Sequence, residues 1–192
     1  MPTPKVKLKL ENNVLSFINQ CADAYGRFAA DSLNQDLWCE CLEIGLESAI
    51  ERILYCAIKT LAKINYIQEA TDPVQEYGEW RVAGLSIIPQ AEIGKYRADF
   101  RISHERKFKN GWELRQVIVE CDSQQFHERT EEERRYEKQR DRFLTTEGYK
   151  VFHFTGTEIV KNPWSVAAEI LEFVVTDRPN KDELLGALEN YQ

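Results

Sequence analysis

The spacing of hydrophobic and polar positions divides the chain into predicted helices and strands. Apolar residues recur at helical spacing over 11–30 and again over 35–66, where they predict either one long helix or two abutting helices. Three shorter runs, at about 81–88, 95–103 and 114–122, are typical of strands. The pattern therefore indicates a helical first part that is followed by a sheet.

A turn and three further elements complete the predicted order. Lys109-Asn110-Gly111 separates the second and third strands, so we expect a hairpin there. A highly charged helix is predicted over 128–147, and a fourth strand over 150–154 is predicted to be buried because it is apolar. Asn162-Pro163 is typical of a helix start, and apolar residues follow it at helical spacing.

This order of elements predicts an α/β protein with a mixed central sheet flanked by helices. A length of 192 residues allows one domain of ordinary size with an extension. We place an N-terminal helical extension at 1–45, the main domain at 46–176 and a polar C-terminal tail at 177–192, with a weak helix over 181–190 as an option within the tail.

The composition restricts the class of protein. With 43% hydrophobic and 30% charged residues the chain is expected to be globular. No apolar stretch approaches the roughly 20 residues that span a bilayer, so we expect a soluble cytoplasmic protein without a membrane partner. The five cysteines lack a framework spacing and are expected to be reduced thiols. A net charge of −7 argues against a general polyanion-coating protein but is compatible with an acidic active site.

Three acids on two neighbouring strands give the strongest chemical signal. Asp99 lies in one apolar run, and Glu120 and Asp122 share one face of the next. Buried charges are costly unless they are paired or bind metal, and convergent carboxylates suit a hydrated ion such as Mg²⁺. Metal-dependent hydrolysis of phosphodiester bonds is therefore the leading hypothesis. The alternative is that the acids are solvated or paired with arginine.

Weaker signals add further polar residues to this set. Glu51 lies at the border of the apolar stripe of its helix, where it is either a fourth carboxylate for the ion or a solvated flank residue. Gln124 and His127 follow the acids closely, and an amide and an imidazole there would orient water or a phosphate oxygen. A polar loop followed by a helix cap is the alternative for these two residues.

The charged helix carries a candidate surface for nucleic acid. Arg134, Lys138 and Arg142 repeat every four residues with Arg135 beside them, and such a stripe would meet a phosphate backbone. The helix holds as many acids as bases over this region, so solvated pairing between successive turns is its ordinary explanation.

Several motifs together resemble a known family. Residues 90–100 are similar to the pattern Q-x-x-I-G-x-Y-x-x-D-F, and Val119-Glu120-Cys121-Asp122 is similar to I-E-x-D-G. Residues 136–154 are similar to Y-D-x-x-R-D-x-x-L…G-Y-x-V-x-R-F, and Ser48-Ala49-Ile50-Glu51 resembles the S/T-P-x-E start of a first core helix. In this combined order, over about 48–175, the chain resembles the PD-(D/E)xK nuclease superfamily, in the branch allied to very-short-patch-repair endonucleases.

The resemblance implies a restriction-endonuclease-like α-β-β-β-α-β core with the acids at the fork of its sheet. It implies that Asp99, Glu120 and the backbone carbonyl of Cys121 bind the metal, with Glu51 as a further ligand. Asp122 stands where the superfamily usually has lysine, a departure that this branch shares. The arginine of the fourth strand is His153 in this chain.

The expected function is that of a Mg²⁺-dependent endonuclease, with Mn²⁺ as a substitute, that acts on DNA in preference to RNA. Asp122, Glu51 or Gln124 is expected to position the attacking water, and Lys138 and Arg140 to stabilise charge on the phosphate. The residues expected to contact nucleic acid are His127, Arg134, Lys138 and Arg140.

Other functions stay open on the sequence alone. The same fold without turnover would be a module that binds nucleic acid or a partner protein, and the acidic net charge is compatible with that. RNA and branched or damaged DNA are alternative substrates. Residues 1–45 have no counterpart in the resemblance and are candidates for contacts in a homodimer or with a protein partner.

Overall fold

The computed structural model describes residues 14–21, 37, 39–70, 74–76, 79–81, 83–122, 130–175 and 180–189. Residues 14–21 and 39–43 are helical. The later helices are α1 (Ala49–Ile64), α2 (Glu131–Thr146), α3 (Gly156–Lys161), α4 (Pro163–Val174) and α5 (Lys181–Glu189). The strands are β1 (Val74–Glu76), β2 (Glu79–Arg81), β3 (Gly84–Ile93), β4 (Tyr96–Phe108), β5 (Gly111–Asp122) and β6 (Lys150–Thr155).

Four strands form a mixed sheet in the order β3-β4-β5-β6. β3, β4 and β5 are antiparallel to one another, and β6 lies parallel to β5 after the crossover through α2. The β4–β5 turn is followed by Gly111 with a φ of +128°, a value that favours glycine, and the predicted hairpin is confirmed. The α-β-β-β-α-β order is confirmed as well. The sequence pattern does not predict the separate β1–β2 pair.

Different helices cover the two faces of the sheet. Phe100, Val117 and Val119 lie on the face that packs against α1 and α4 in the main hydrophobic core. Because side chains alternate along a strand, Ile118 faces the other way and clusters with Leu144 of α2. The even-numbered positions of β5 therefore point towards α2.

The helical pattern over 35–66 corresponds to the alternative with two abutting helices. The helical residues 39–43 end before Gly45, which has a φ of +78°. Ser48 then caps α1, because its side chain accepts a hydrogen bond from the backbone N–H of Glu51 at 3.2 Å. This start of α1 places Glu51 in the first turn of the helix.

The prediction of a buried fourth strand is wrong for most of β6. Only Phe154 is buried, Val151 and Phe152 are half-buried, and the His153 side chain is 38% exposed. Among the described strands β6 lies at the edge of the sheet, so no second strand of this set covers its outer side. An apolar composition does not distinguish an edge strand from a central one.

Both ends of the described chain pack into the main core. Phe17 and Ile18 are buried, and the ring of Phe17 lies 5.1 Å from that of Trp164. Within the predicted polar tail, α5 buries Leu184 and Leu188 against the same core. Most of the predicted extension over 1–45 lies outside the described residues.

Among the described residues, no helix has the length and apolar character needed to cross a membrane.

Candidate active site at the fork of the sheet

The β4 and β5 strands separate at the end that carries the three acids. Their ladder ends at the pair Phe100 and Val119, one residue short of Asp99 and Glu120. Beyond that point, Oδ2 of Asp99 accepts a hydrogen bond from the backbone N–H of Cys121 at 2.7 Å. A carboxylate thus takes the place of a strand carbonyl, and this contact fixes Asp99 at the fork of the sheet.

Glu120 lies in the fork as a buried acid that is only partly compensated. The residue is 5% exposed, and its Oε2 lies 3.1 Å from Nη1 of Arg140 on α2. Among the described residues, neither the other oxygen, Oε1, nor Nε of Arg140 has a hydrogen-bond partner, and both atoms are buried. Such unmet polar atoms are rare in folded proteins and indicate a place where another group would bind.

Burial and mutual repulsion raise the pKa values of two of these acids. Burial raises the pKa of Glu120 to about 7, with Asp99 adding to the rise and Arg140 opposing it. The pKa of Asp99 is also raised, chiefly by burial, and the charge of Glu51 contributes to it. The electrostatic influence of each acid on the others indicates that the structure brings them to one site.

His153 and Asp141 belong to the same site, although the sequence pattern does not select either of them. Nδ1 of His153 lies 3.4 Å from Oδ2 of Asp122, and its Nε2 lies 3.5 Å from Oδ2 of Asp141. The contact with Asp122 is the main cause that raises the pKa of His153. In the parallel ladder His153 is the partner of Glu120, so the pairing register would have placed it at the fork.

Glu51 reaches the site from α1 and is not a solvated flank residue. It is 5% exposed, and its Oε2 accepts hydrogen bonds from the backbone N–H of Glu47 at 3.0 Å and from Nε2 of Gln90 at 2.8 Å. Gln90 has a φ of +48°, a backbone conformation that is costly for any residue other than glycine. A strained residue thus supports a buried carboxylate beside Asp99.

The cationic residues of α2 do not all face the acids. Arg140 contacts Glu120 with a side chain that is 15% exposed, whereas Lys138 and Arg134 are exposed. Lys138 lies two residues from Arg140, or roughly 200° around the helix, so the two side chains leave α2 on nearly opposite sides. The expected roles of Lys138 and Arg134 stay predictions.

Gln124 and His127 lie outside the described residues, and their expected roles also stay predictions. Asp122 is the last described residue before residues 123–129, and its carboxylate contacts Nδ1 of His153.

The oxygen atoms at the fork fit a hard cation such as Mg²⁺ in kind. Asp99 and Glu120 present carboxylates from adjacent rigid strands, and Oε1 of Glu120 is a buried oxygen that a cation would satisfy. Within the described residues, no group of three or more His, Cys, Asp or Glu side chains is arranged to hold a metal ion. A ligand set of two carboxylates, a backbone carbonyl and water needs no such group.

One comparison with known proteins, the match to a protein family, supports this fold. The family REase_MTES_1575, a restriction endonuclease-like family, matches residues 77–174. The matched range holds Asp99, Glu120, Arg140 and His153 but not Glu51. No curated protein and no solved structure matches the chain significantly. Because the match covers slightly more than half of the sequence, the chain belongs to this restriction endonuclease-like family.

Proposed function

We propose that this protein is a metal-dependent endonuclease that hydrolyses phosphodiester bonds, with DNA favoured over RNA as its substrate. The observation that carries the proposal is the fork itself. Asp99 and Glu120 lie side by side where β4 and β5 separate, and one oxygen of the buried Glu120 has no partner in the described part of the chain. Membership of a restriction endonuclease-like family supports nuclease activity.

Asp99, Glu120 and the backbone carbonyl of Cys121 would hold Mg²⁺, or Mn²⁺ in its place. Glu51 would join them once its Oε2 no longer accepts from Gln90 and Glu47. The bound cation would lower the pKa of a water molecule and neutralise charge on the phosphate. Burial raises the pKa of Glu120 to about 7 and the charge of Asp99 adds to the rise, and a divalent cation would offset both effects.

The remaining polar residues have separate proposed roles. Arg140 would stabilise negative charge on the phosphate, because its guanidinium lies at the fork and is nearly buried. Asp122 would orient the attacking water, and His153 holds its carboxylate in place. Gln124 is a further candidate for positioning water. On their exposed side of α2, Lys138 and Arg134 would contact the nucleic-acid backbone together with His127.

A cleavage assay on several substrates tests this proposal. Purified protein is incubated with supercoiled, linear and single-stranded DNA and with RNA, in Mg²⁺, Mn²⁺ or EDTA. Products are expected with Mg²⁺ or Mn²⁺ and on DNA first, and the Asp99→Ala variant is expected to give none. Glu169→Gln is the control, because Glu169 is an exposed acid of α4 that pairs with Lys181 and takes no part in the proposed site.

Metal-dependent products from the control but not from Asp99→Ala would support both the activity and the site. Equal cleavage by Asp99→Ala would show that the fork is not the active site.

A binding module without turnover is the second candidate, and one contact favours it. Arg140 already neutralises part of the charge on Glu120, so the acids of the fork are partly compensated without a metal ion. In that case DNA would be retained intact in gel shifts with Mg²⁺ present, and well-folded protein would release no products during long incubation.

A further inference from the structure

The β4–β5 hairpin extends beyond both of its neighbouring strands. β3 pairs with β4 as far as Glu105, and β6 pairs with β5 from Val117 onwards. Residues 106–113 therefore form a two-stranded ribbon to which no other described strand is paired, and we call this segment the ribbon. It lies at the end of the hairpin opposite to the fork.

The ribbon is basic in a chain that is acidic as a whole. Arg106, Lys107 and Lys109 lie within seven consecutive residues that contain no acid. Glu113 is the acid of the ribbon, and it pairs with Arg115 at 2.8 Å. A local excess of positive charge therefore stands on a protein with a net charge of −7, and this is the charge pattern of a contact with a polyanion.

Each face of the ribbon tip carries one cation and one aromatic ring. Residues that pair across an antiparallel ladder share a face, so Lys107 lies beside Trp112. On the other face the guanidinium of Arg106 lies 5.5 Å from the centre of the Phe108 ring. Residues 106–111 are exposed, and Phe108 is 40% exposed. Exposed rings beside cations are costly in water and suit stacking and phosphate contacts with nucleic acid.

We propose that the ribbon enters a groove of double-stranded DNA and contacts its phosphates through Lys107 and Lys109. The major groove admits a two-stranded β-ribbon, which is the shape of this segment. Nine residues of β4 separate Asp99 from Phe108, which is about 30 Å of extended strand. This distance corresponds to about nine base pairs, so the ribbon binds roughly one helical turn from the fork.

The ribbon proposal rests on the proposed function only in taking DNA as the ligand, and a binding experiment without cleavage separates the two. Binding of fluorescent duplex DNA is measured in EDTA over a range of salt concentrations, for hairpin-closed duplexes of about 8 and about 24 base pairs. The Lys107→Glu, Lys109→Glu double variant is compared with wild type. The control is Lys161→Glu on α3, which reverses one charge away from the ribbon and is compared with the single Lys109→Glu variant.

The ribbon variant is expected to bind the longer duplex at least about tenfold more weakly, with a salt dependence reduced by about two ions. Binding of the shorter duplex, which cannot reach both ends of the hairpin, is expected to be unchanged. The milder pair Lys107→Gln, Lys109→Gln is expected to give half the effect, and a normal thermal melt excludes misfolding.

Equal binding of the longer duplex by the variant and the wild type would overturn the proposal. An equal loss on both duplexes, or in the control variant as well, would overturn the placement of the ribbon one turn from the fork. If the wild-type protein binds through the ribbon but never cleaves, the catalytic proposal fails and the ribbon proposal stands.

Discussion

The two ends of the β4–β5 hairpin differ in burial and in charge. At the fork, Asp99 and Glu120 are acids that lie largely out of water, and one oxygen of Glu120 has no partner among the residues that the structure describes. At the other end, Lys107 and Lys109 are exposed cations, and Lys107 lies beside Trp112. The buried carboxylates of the fork suit chemistry on a bound ion, because charges that are shielded from water interact strongly with that ion. The exposed cations of the ribbon suit binding to a polyanion, because exposed charges stay hydrated and cost little stability. Their contribution to binding is reduced by salt.

Removing the charge of Glu120 is expected to lower the cleavage rate and to raise the stability of the folded protein. The Glu120→Gln variant is expected to lose at least about a thousandfold in cleavage rate, since the proposed ion would lose a carboxylate ligand. The same variant is expected to be more stable than wild type at pH 8 without metal, by about 1–2 kcal/mol. Chemical denaturation at several pH values, in EDTA, measures the second effect.

The sign of that effect follows from the raised pKa. The pKa of Glu120 is 4.5 in its ordinary state and about 7 in the folded protein, so the folded form binds the proton more tightly. Wild-type stability therefore falls as the pH rises from about 4.5 to 7, and the loss persists above pH 7. The variant lacks this dependence. A wild-type protein that gains stability across this window would contradict the assignment.

Replacing Arg140 tests the cation that faces the buried acid. The Arg140→Met variant is expected to lose about a hundredfold in cleavage rate, because a donor to the phosphate is absent. Its free energy of unfolding in EDTA is expected to fall by about 3 kcal/mol, since Glu120 is left buried and unpaired. Lys161→Met, at an exposed cation of α3, is the control and should change neither quantity by much.

The ribbon predicts a different kinetic result. Cleavage of long DNA by the Lys107→Gln, Lys109→Gln variant is expected to show a KM raised by a few-fold with kcat unchanged, since phosphate contacts act on binding before the reaction. Steady-state kinetics would measure the change in KM. A salt concentration of about 0.1 M is suitable, because exposed charges still interact over about 10 Å at that ionic strength. A fall in kcat alone would show that the ribbon takes part in catalysis.

A helix cap gives the smallest expected change. The Ser48→Ala variant removes the side chain that accepts from Glu51 N–H and is expected to cost about 1 kcal/mol of stability. Cleavage is expected to fall by a few-fold, because the cap also sets the first turn that carries Glu51. Asn162→Ala, which removes the cap of α4 away from Glu51, is expected to cost similar stability with no effect on cleavage.

The elements with strong periodicity were predictable from the sequence. The helical pattern gave α1 and α4, and the turn at Lys109-Asn110-Gly111 gave the hairpin, since turn chemistry and period are local properties. The edge position of β6 was not predictable, because it depends on which strands pair across the sheet. The separate β1–β2 pair was missed because strands of three residues are too short to show a clear alternation of apolar and polar positions.

The acids of the site were predictable and their partners were not. Glu120 and Asp122 share a face through the period of a strand, which is visible in the sequence. His153 reaches Asp122 only through the parallel β5–β6 register, and Asp141 reaches His153 only through the packing of α2. The sequence also treated Lys138 and Arg140 alike, whereas the orientation of α2 turns Arg140 towards Glu120 and leaves Lys138 exposed.

The most direct test of the account is the position of Mn²⁺ in crystals soaked with that ion, located by its anomalous scattering. We expect a peak about 2–2.4 Å from oxygen atoms of Asp99, Glu120 and the Cys121 carbonyl, absent from crystals of Glu120→Gln. Arg140 is expected to move away from Glu120 when the ion binds. A fork without a peak at saturating Mn²⁺, with the Arg140–Glu120 pair intact, would contradict the claim that these carboxylates form a metal-dependent active site.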